Sequence, residues 1–131
     1  MTRARVPLSL VPRRRHPRGK GTGARTRERL LGVAAMEFNR AGYHGTNSNR
    51  IARRAGFAPA VFYQHFRDKR EVFLAAYEAW VSAEWREVER LLRTERTPEA
   101  QARRITAMVL SLHRRWRGLR QSLRAVMATD P

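Results

Sequence analysis

Residues 46–66 read TNSNRIARRAGFAPAVFYQHF, and this stretch decides the fold. Ile51, Ala52 and Ala55 fall on one side of a short helix expected over about Ser48–Ala55. Asn47 is a suitable N-cap, and Thr46 is placed to share that role. Gly56 supplies the positive φ of a tight turn, which other residues resist. A second short helix is expected over about Pro59–Phe66, because proline at the first helical position needs no amide hydrogen. Phe62 and Phe66 lie four apart on one face and read as core. Small residues where two helices cross, followed by aromatics that lock the second helix, describe a helix-turn-helix.

Helical periodicity continues on both sides. Leu30, Leu31, Ala34, Ala35 and Phe38 mark a helix over about Ala24–Ala41; Gly42 ends it as a left-handed cap and Tyr43 folds back toward it. A long helix is expected from Lys69 to about Arg93, with Phe73, Ala76, Tyr77, Trp80, Val81, Val88, Leu91 and Leu92 as its apolar stripe. Thr97 caps the next helix and Pro98 opens it; Ile105, Met108, Val109, Leu112 and Trp116 form its seam. Gly118 reads as an interruption, and Leu119–Met127 as the start of a further helix. No strand pattern appears. The expected fold class is all-α: three helices plus a long fourth as a helix-turn-helix domain over 24–84, then a partial helical region over 85–131.

Residues 1–23 read as a disordered basic arm. Arg3, Arg5, Arg13, Arg14, Arg15, Arg18 and Lys20 face no acid, and Pro7, Pro12 and Pro17 forbid a continuous helix. The arm is read as a solvated tail that gives weak electrostatic help on nucleic acid, or as an upstream extension. The whole chain of 131 residues carries 28 Lys and Arg against 11 acids, a formal net charge of +17. That excess attracts a polyanion, although an arginine-rich codon bias produces it too. Cysteine is absent, which removes disulfides, thiolate chemistry and cysteine-bound zinc and fits a reducing cytoplasm. No apolar run approaches the ~18–20 residues needed to span a membrane, so no membrane partner is expected.

Catalysis finds no support. His16, His44, His65 and His113 show no metal-ligand spacing, and Ser82 and Ser122 lack a nucleophile elbow. Glu84 and Glu87 read as a solvated ion-pair face. Gly19, Gly21 and Gly23 follow no strand and precede no Gly-Lys-Ser/Thr. No enzyme activity, metal or cofactor is therefore expected. A nucleic-acid surface is better supported. Around the second short helix, Ala60 and Gln64, flanked by Val61 and Tyr63, are not needed by the core. Alanine, proline and valine at its start permit close approach to a groove. Gln64 can pair with adenine N6 and N7, and the Tyr63 hydroxyl can reach a phosphate or base edge. His65 fits either a phosphate or the junction with the next helix. Lys69, at a helix N-terminus, suits a phosphate; Arg67 and Arg70 stay open between solvent and phosphate.

Together, TRERLLGVAAMEFNRAGYHGT and IARRAGFAPAVFYQHFRDKREVFLAA resemble the DNA-binding domain of the TetR family of transcriptional regulators, over Thr26 to about Leu74. The resemblance implies a cytoplasmic, nucleoid-associated bacterial homodimer, a repressor that binds a palindromic operator in double-stranded DNA and releases it when a small-molecule effector enters the C-terminal part. It implies DNA contacts from Asn47, Asn49, Pro59, Ala60, Val61, Tyr63, Gln64, His65 and Lys69. Three departures stand out: Ala58 replaces a capping serine, Pro59 a frequent lysine and Arg50 a frequent acid. Base readout is then expected to lean on Gln64 and apolar contacts to thymine methyls. Family members continue for several more helices, including their dimerising pair. The chain reads as stopping short of these, leaving Ile105, Met108, Val109, Leu112 and Trp116 partly exposed. Trp80, Trp85 and Trp116 read as helix packing, or as the lining of an effector pocket. The alternative functions are a non-specific basic nucleic-acid binder and a truncated modulatory partner of a full-length regulator.

Overall fold

A computed structural model describes residues 22–129 as six helices: α1 (Thr22–Ala41), α2 (Ser48–Arg54), α3 (Pro59–His65), α4 (Lys69–Thr94), α5 (Pro98–Arg115) and α6 (Arg117–Ala128). No strand occurs among the described residues. The basic arm lies outside them as far as residue 21, and α1 begins two residues before the expected start. The chain is all-α, as its periodicities require. No described helix is long and apolar enough to cross a membrane.

The core forms where α1 packs against α2, α4 and α6, with α3 held on α2. Leu30, Ala34 and Phe38 of α1 meet Ile51 and Ala52 of α2, Phe62 of α3, and Val72, Phe73 and Ala76 of α4, all fully buried. Phe38 meets the Phe73 ring edge-on at 5.1 Å between centroids and stacks with Tyr43 at 5.7 Å. Tyr43 reaches this position because Gly42, at φ 79°, turns the chain back across the end of α1. The capping signals hold at α2 and α5, where Asn47 and Thr97 accept from the amides of Arg50 and Ala100, and α4 is capped by Asp68, which accepts from the Glu71 amide. Thr46 is therefore not the α2 cap. Its hydroxyl instead donates to Glu37 at 3.1 Å, in a buried setting.

The C-terminal part departs from expectation in three places. Leu112 and Trp116 are each 3% exposed rather than open to solvent, whereas Ile105, Met108 and Val109 are half-buried. The reason is that α6 folds back onto α1, and Trp116 packs against Trp80 at 6.3 Å. Gly118 breaks no helix, since the break falls at Trp116. The glycine is a point of close approach: a Cβ there would lie 1.9 Å from the Asn39 carbonyl oxygen. Asn39 then joins three elements. Its Nδ2 donates to the Arg115 carbonyl at 2.8 Å and its Oδ1 accepts from the Leu119 amide at 3.1 Å, capping a helix whose own N-cap, Trp116, makes no side-chain cap. Finally, Leu92 leaves the α4 core stripe. It is exposed together with Leu74 and Trp85 on a second stripe, along which Val81 and Val88 are half-buried.

Candidate nucleic-acid interface

α2 and α3 are seven residues each, too short to be helical alone, so their neighbours must hold them. α2 rests on Ile51 and Ala52 and closes in a Schellman turn. The Phe57 amide bonds the Ala52 carbonyl at 2.9 Å and the Gly56 amide bonds the Arg53 carbonyl at 3.0 Å, with Gly56 at φ 87°. The Arg29 guanidinium donates to the Ala55 carbonyl and ties this turn to α1. α3 starts at Pro59 without a side-chain cap, because Ala58 has no oxygen to offer. Its attachment falls to Phe62 and Phe66, both buried, with rings 5.6 Å apart. Arg27 of α1 covers the Phe66 ring at 5.1 Å.

The opposite side of α3 is open. Pro59, Ala60, Tyr63 and Gln64 are exposed, Tyr63 at 56%, while Val61 and His65 are half-buried at its edges. The Tyr63 ring rests edge-on against Phe62 at 5.3 Å, which steadies the exposed side chain. His65 lies 6.5 Å from Phe66. At the start of α2, Asn47 and Asn49 are exposed; capping uses the Oδ1 of Asn47 and not its amide NH2. Lys69 is more engaged than its sequence position suggests. Its ammonium donates to the carbonyls of Tyr43 at 2.9 Å and Thr46 at 3.4 Å and lies 4.1 Å from the Tyr43 ring centroid. Burial lowers the Lys69 pKa. Burial, assisted by Asp68 and opposed by Arg70, raises that of Tyr43. Two of the three N–H donors are thus spent on the α1–α2 loop.

Sequence reasoning missed the element beneath this surface. Glu37, 3% exposed, accepts from Arg40 and the Thr46 hydroxyl and pairs with Arg54 at 2.9 Å and Arg50 at 3.3 Å. An acid inside the apolar run from Ala34 to Phe38 was the available signal. Arg50 pairs with this carboxylate across the α1–α2 junction.

Residues 30–76 match the family described as bacterial regulatory proteins, tetR family. This segment carries the TetR-type N-terminal domain. Its span runs from Leu30 in α1 to Ala76 in α4 and so encloses the helix-turn-helix. An uncharacterized HTH-type transcriptional regulator, YdgC of Bacillus subtilis, is 39% identical over 54 residues, covering 41% of this chain and 28% of that protein. The HTH-type transcriptional activator FasR of Mycolicibacterium smegmatis is 40% identical over 68 residues, covering 52% of this chain and 31% of that protein. The matched segments span less than a third of the length of these relatives. No solved structure matches the chain.

Proposed function

We propose that the chain is a sequence-specific DNA-binding transcriptional regulator that places α3 in the major groove. One observation carries the reading: a short helix pinned by Phe62 and Phe66 presents Pro59, Ala60, Tyr63 and Gln64 outward from a basic molecule. In the helix-turn-helix arrangement the second helix reads base edges and the first crosses the backbone. Gln64 then reads an adenine, Ala60 and Val61 touch thymine methyls, and Tyr63, His65, Asn49 and the amide of Asn47 meet the phosphates. The third N–H of Lys69 is available to the same backbone. Regulation is by binding rather than catalysis, in the bacterial cytoplasm at the nucleoid.

The proposed operator is palindromic and is read by two copies. The exposed α4 stripe of Leu74, Trp85 and Leu92 supports such association, because apolar surface of this kind favours burial against a partner. A small-molecule effector acting on the region beyond α4 would control release, and occupancy over a promoter would repress it. The test is footprinting on the DNA flanking its own gene, followed by fluorescence anisotropy. A protected palindrome is expected, and Gln64→Ala should relax base preference at one position in each half-site by about 1–3 kcal/mol. Equal affinity for every duplex would leave only charge-driven binding, the reading that the +17 charge supports by itself. A reporter driven by the protected promoter should fall when the protein is supplied; a rise would assign activation.

A further inference from the structure

We infer that Arg50 and Arg54 form a DNA-phosphate site that Glu37 pre-orients, an inference that rests on the DNA-binding reading above. The two arginines lie four apart on α2, on the flank that meets α1. Each turns its Nε toward the Glu37 carboxylate, Arg54 at 2.9 Å from Oε1 and Arg50 at 3.3 Å from Oε2. A guanidinium is planar and rigid, so an ion pair at Nε keeps the donors along the edge formed by its two terminal nitrogens. That edge suits two phosphate oxygens at once. Burial agrees with this division. The Glu37 side chain is 4% exposed, whereas those of Arg50 and Arg54 are 41% and 49% exposed. Arg40 also donates to the same carboxylate, at 3.2 Å. One buried negative charge thus faces three guanidiniums, and two positive charges in this small area lack an acid of their own. An approaching phosphate supplies the missing charge.

Glu37 is a positioning residue here. A free arginine side chain must lose rotamer freedom when it grips a phosphate, and the buried carboxylate removes that freedom beforehand. The Thr46 hydroxyl, donating to Oε2 at 3.1 Å, fixes the carboxylate in turn.

The test measures binding of the full chain to a fluorescein-labelled duplex of mixed sequence by anisotropy across a potassium chloride series. Arg50→Ala and Arg54→Ala should each reduce the slope of log affinity against log salt by about one, the signature of one lost phosphate contact. Lysine at the same positions should keep the slope and weaken binding severalfold, since it keeps the charge and loses the fork. Glu37→Gln decides by sign. Charge counting alone predicts tighter binding when an acid is removed, whereas loss of positioning weakens it severalfold. Unchanged slopes in both alanine variants, or tighter binding by Glu37→Gln, overturn the inference and leave the DNA-binding reading standing. Absence of any duplex binding by the unaltered chain at low salt overturns both. Thermal melts establish that each variant is folded at the assay temperature; if Glu37→Gln is not, the two alanine slopes decide.

Discussion

Replacing Gly118 by alanine sets local propensity directly against tertiary packing. Gly118 is the second residue of α6, and alanine is favoured over glycine in a helix by about 1 kcal/mol. By that measure the variant gains stability. The packing says the reverse. The added Cβ would lie 1.9 Å from the Asn39 carbonyl oxygen, 2.8 Å from its carbon and 3.1 Å from the Asn39 Cα. All three are backbone atoms, so no side chain can swing away and α6 must back off from α1. That movement strains the Leu119 amide bond to Asn39 at 3.1 Å and the Ser122 hydroxyl bond to the Phe38 carbonyl at 3.2 Å. It also loosens Leu119 and Val126, both buried. Overpacking costs about 1–3 kcal/mol and each weakened hydrogen bond about 1 kcal/mol. Against the propensity gain, the net is a destabilisation of about 2–4 kcal/mol, or roughly 8–16 °C in Tm for a domain of this size. Thermal unfolding followed by far-UV circular dichroism reads it. Gly23→Ala is the control: it lies in α1 with nothing within 4 Å of a built Cβ, so only propensity acts and Tm should hold or rise slightly. If Gly118→Ala matches this control, the close α1–α6 approach is refuted.

Other perturbations report on single contacts. Thr46→Val should cost about 1.5–3 kcal/mol, the range for a hydrogen bond to a charged group, because its hydroxyl donates to buried Glu37; urea denaturation measures this, and a neutral result would show that Glu37 does without the hydroxyl. Ala58→Ser should add the cap that α3 lacks and stabilise by about 0.5–1 kcal/mol, with unchanged DNA affinity expected from anisotropy. Glu87 titrates below its ordinary value because Arg90 donates hydrogen bonds to its carboxylate, against an opposing effect of burial. Its contribution is therefore present above the unfolded carboxylate pKa and is lost as pH falls through the lower folded value. The pair is largely exposed, so Glu87→Gln should lower stability by at most about 0.5 kcal/mol at pH 7. The difference from the unaltered chain should begin to shrink in melts as pH falls through the unfolded carboxylate range, about 4.3, and vanish only below the lowered folded value.

The helix-turn-helix was legible in the sequence because its determinants are local. Gly42 and Gly56 adopt the positive φ that their positions demanded, and Pro59 opens α3 where its missing amide hydrogen does no harm. Asn47 caps α2 through an amide three residues on. The exposed side of α3 was legible by subtraction, since Phe62 and Phe66 use up the side that must be buried. Each signal spans a turn or two of chain, so periodicity and stereochemistry suffice. The remainder depended on partners far apart. Glu37 is an anomaly in an apolar run until α2 brings Arg50 and Arg54 against it. Lys69 reads as a free charge until the α1–α2 loop offers two carbonyls. Leu112 and Trp116 read as exposed, and Gly118 as a break, until α6 docks on α1 through bonds between residues 76 to 84 positions apart. By itself, then, the sequence determined which segments are helical and which face of α3 is left open; the tertiary structure alone decided which charges are held and which apolar residues are covered, because both depend on which helix faces lie within a few ångströms of one another, and no local pattern encodes that.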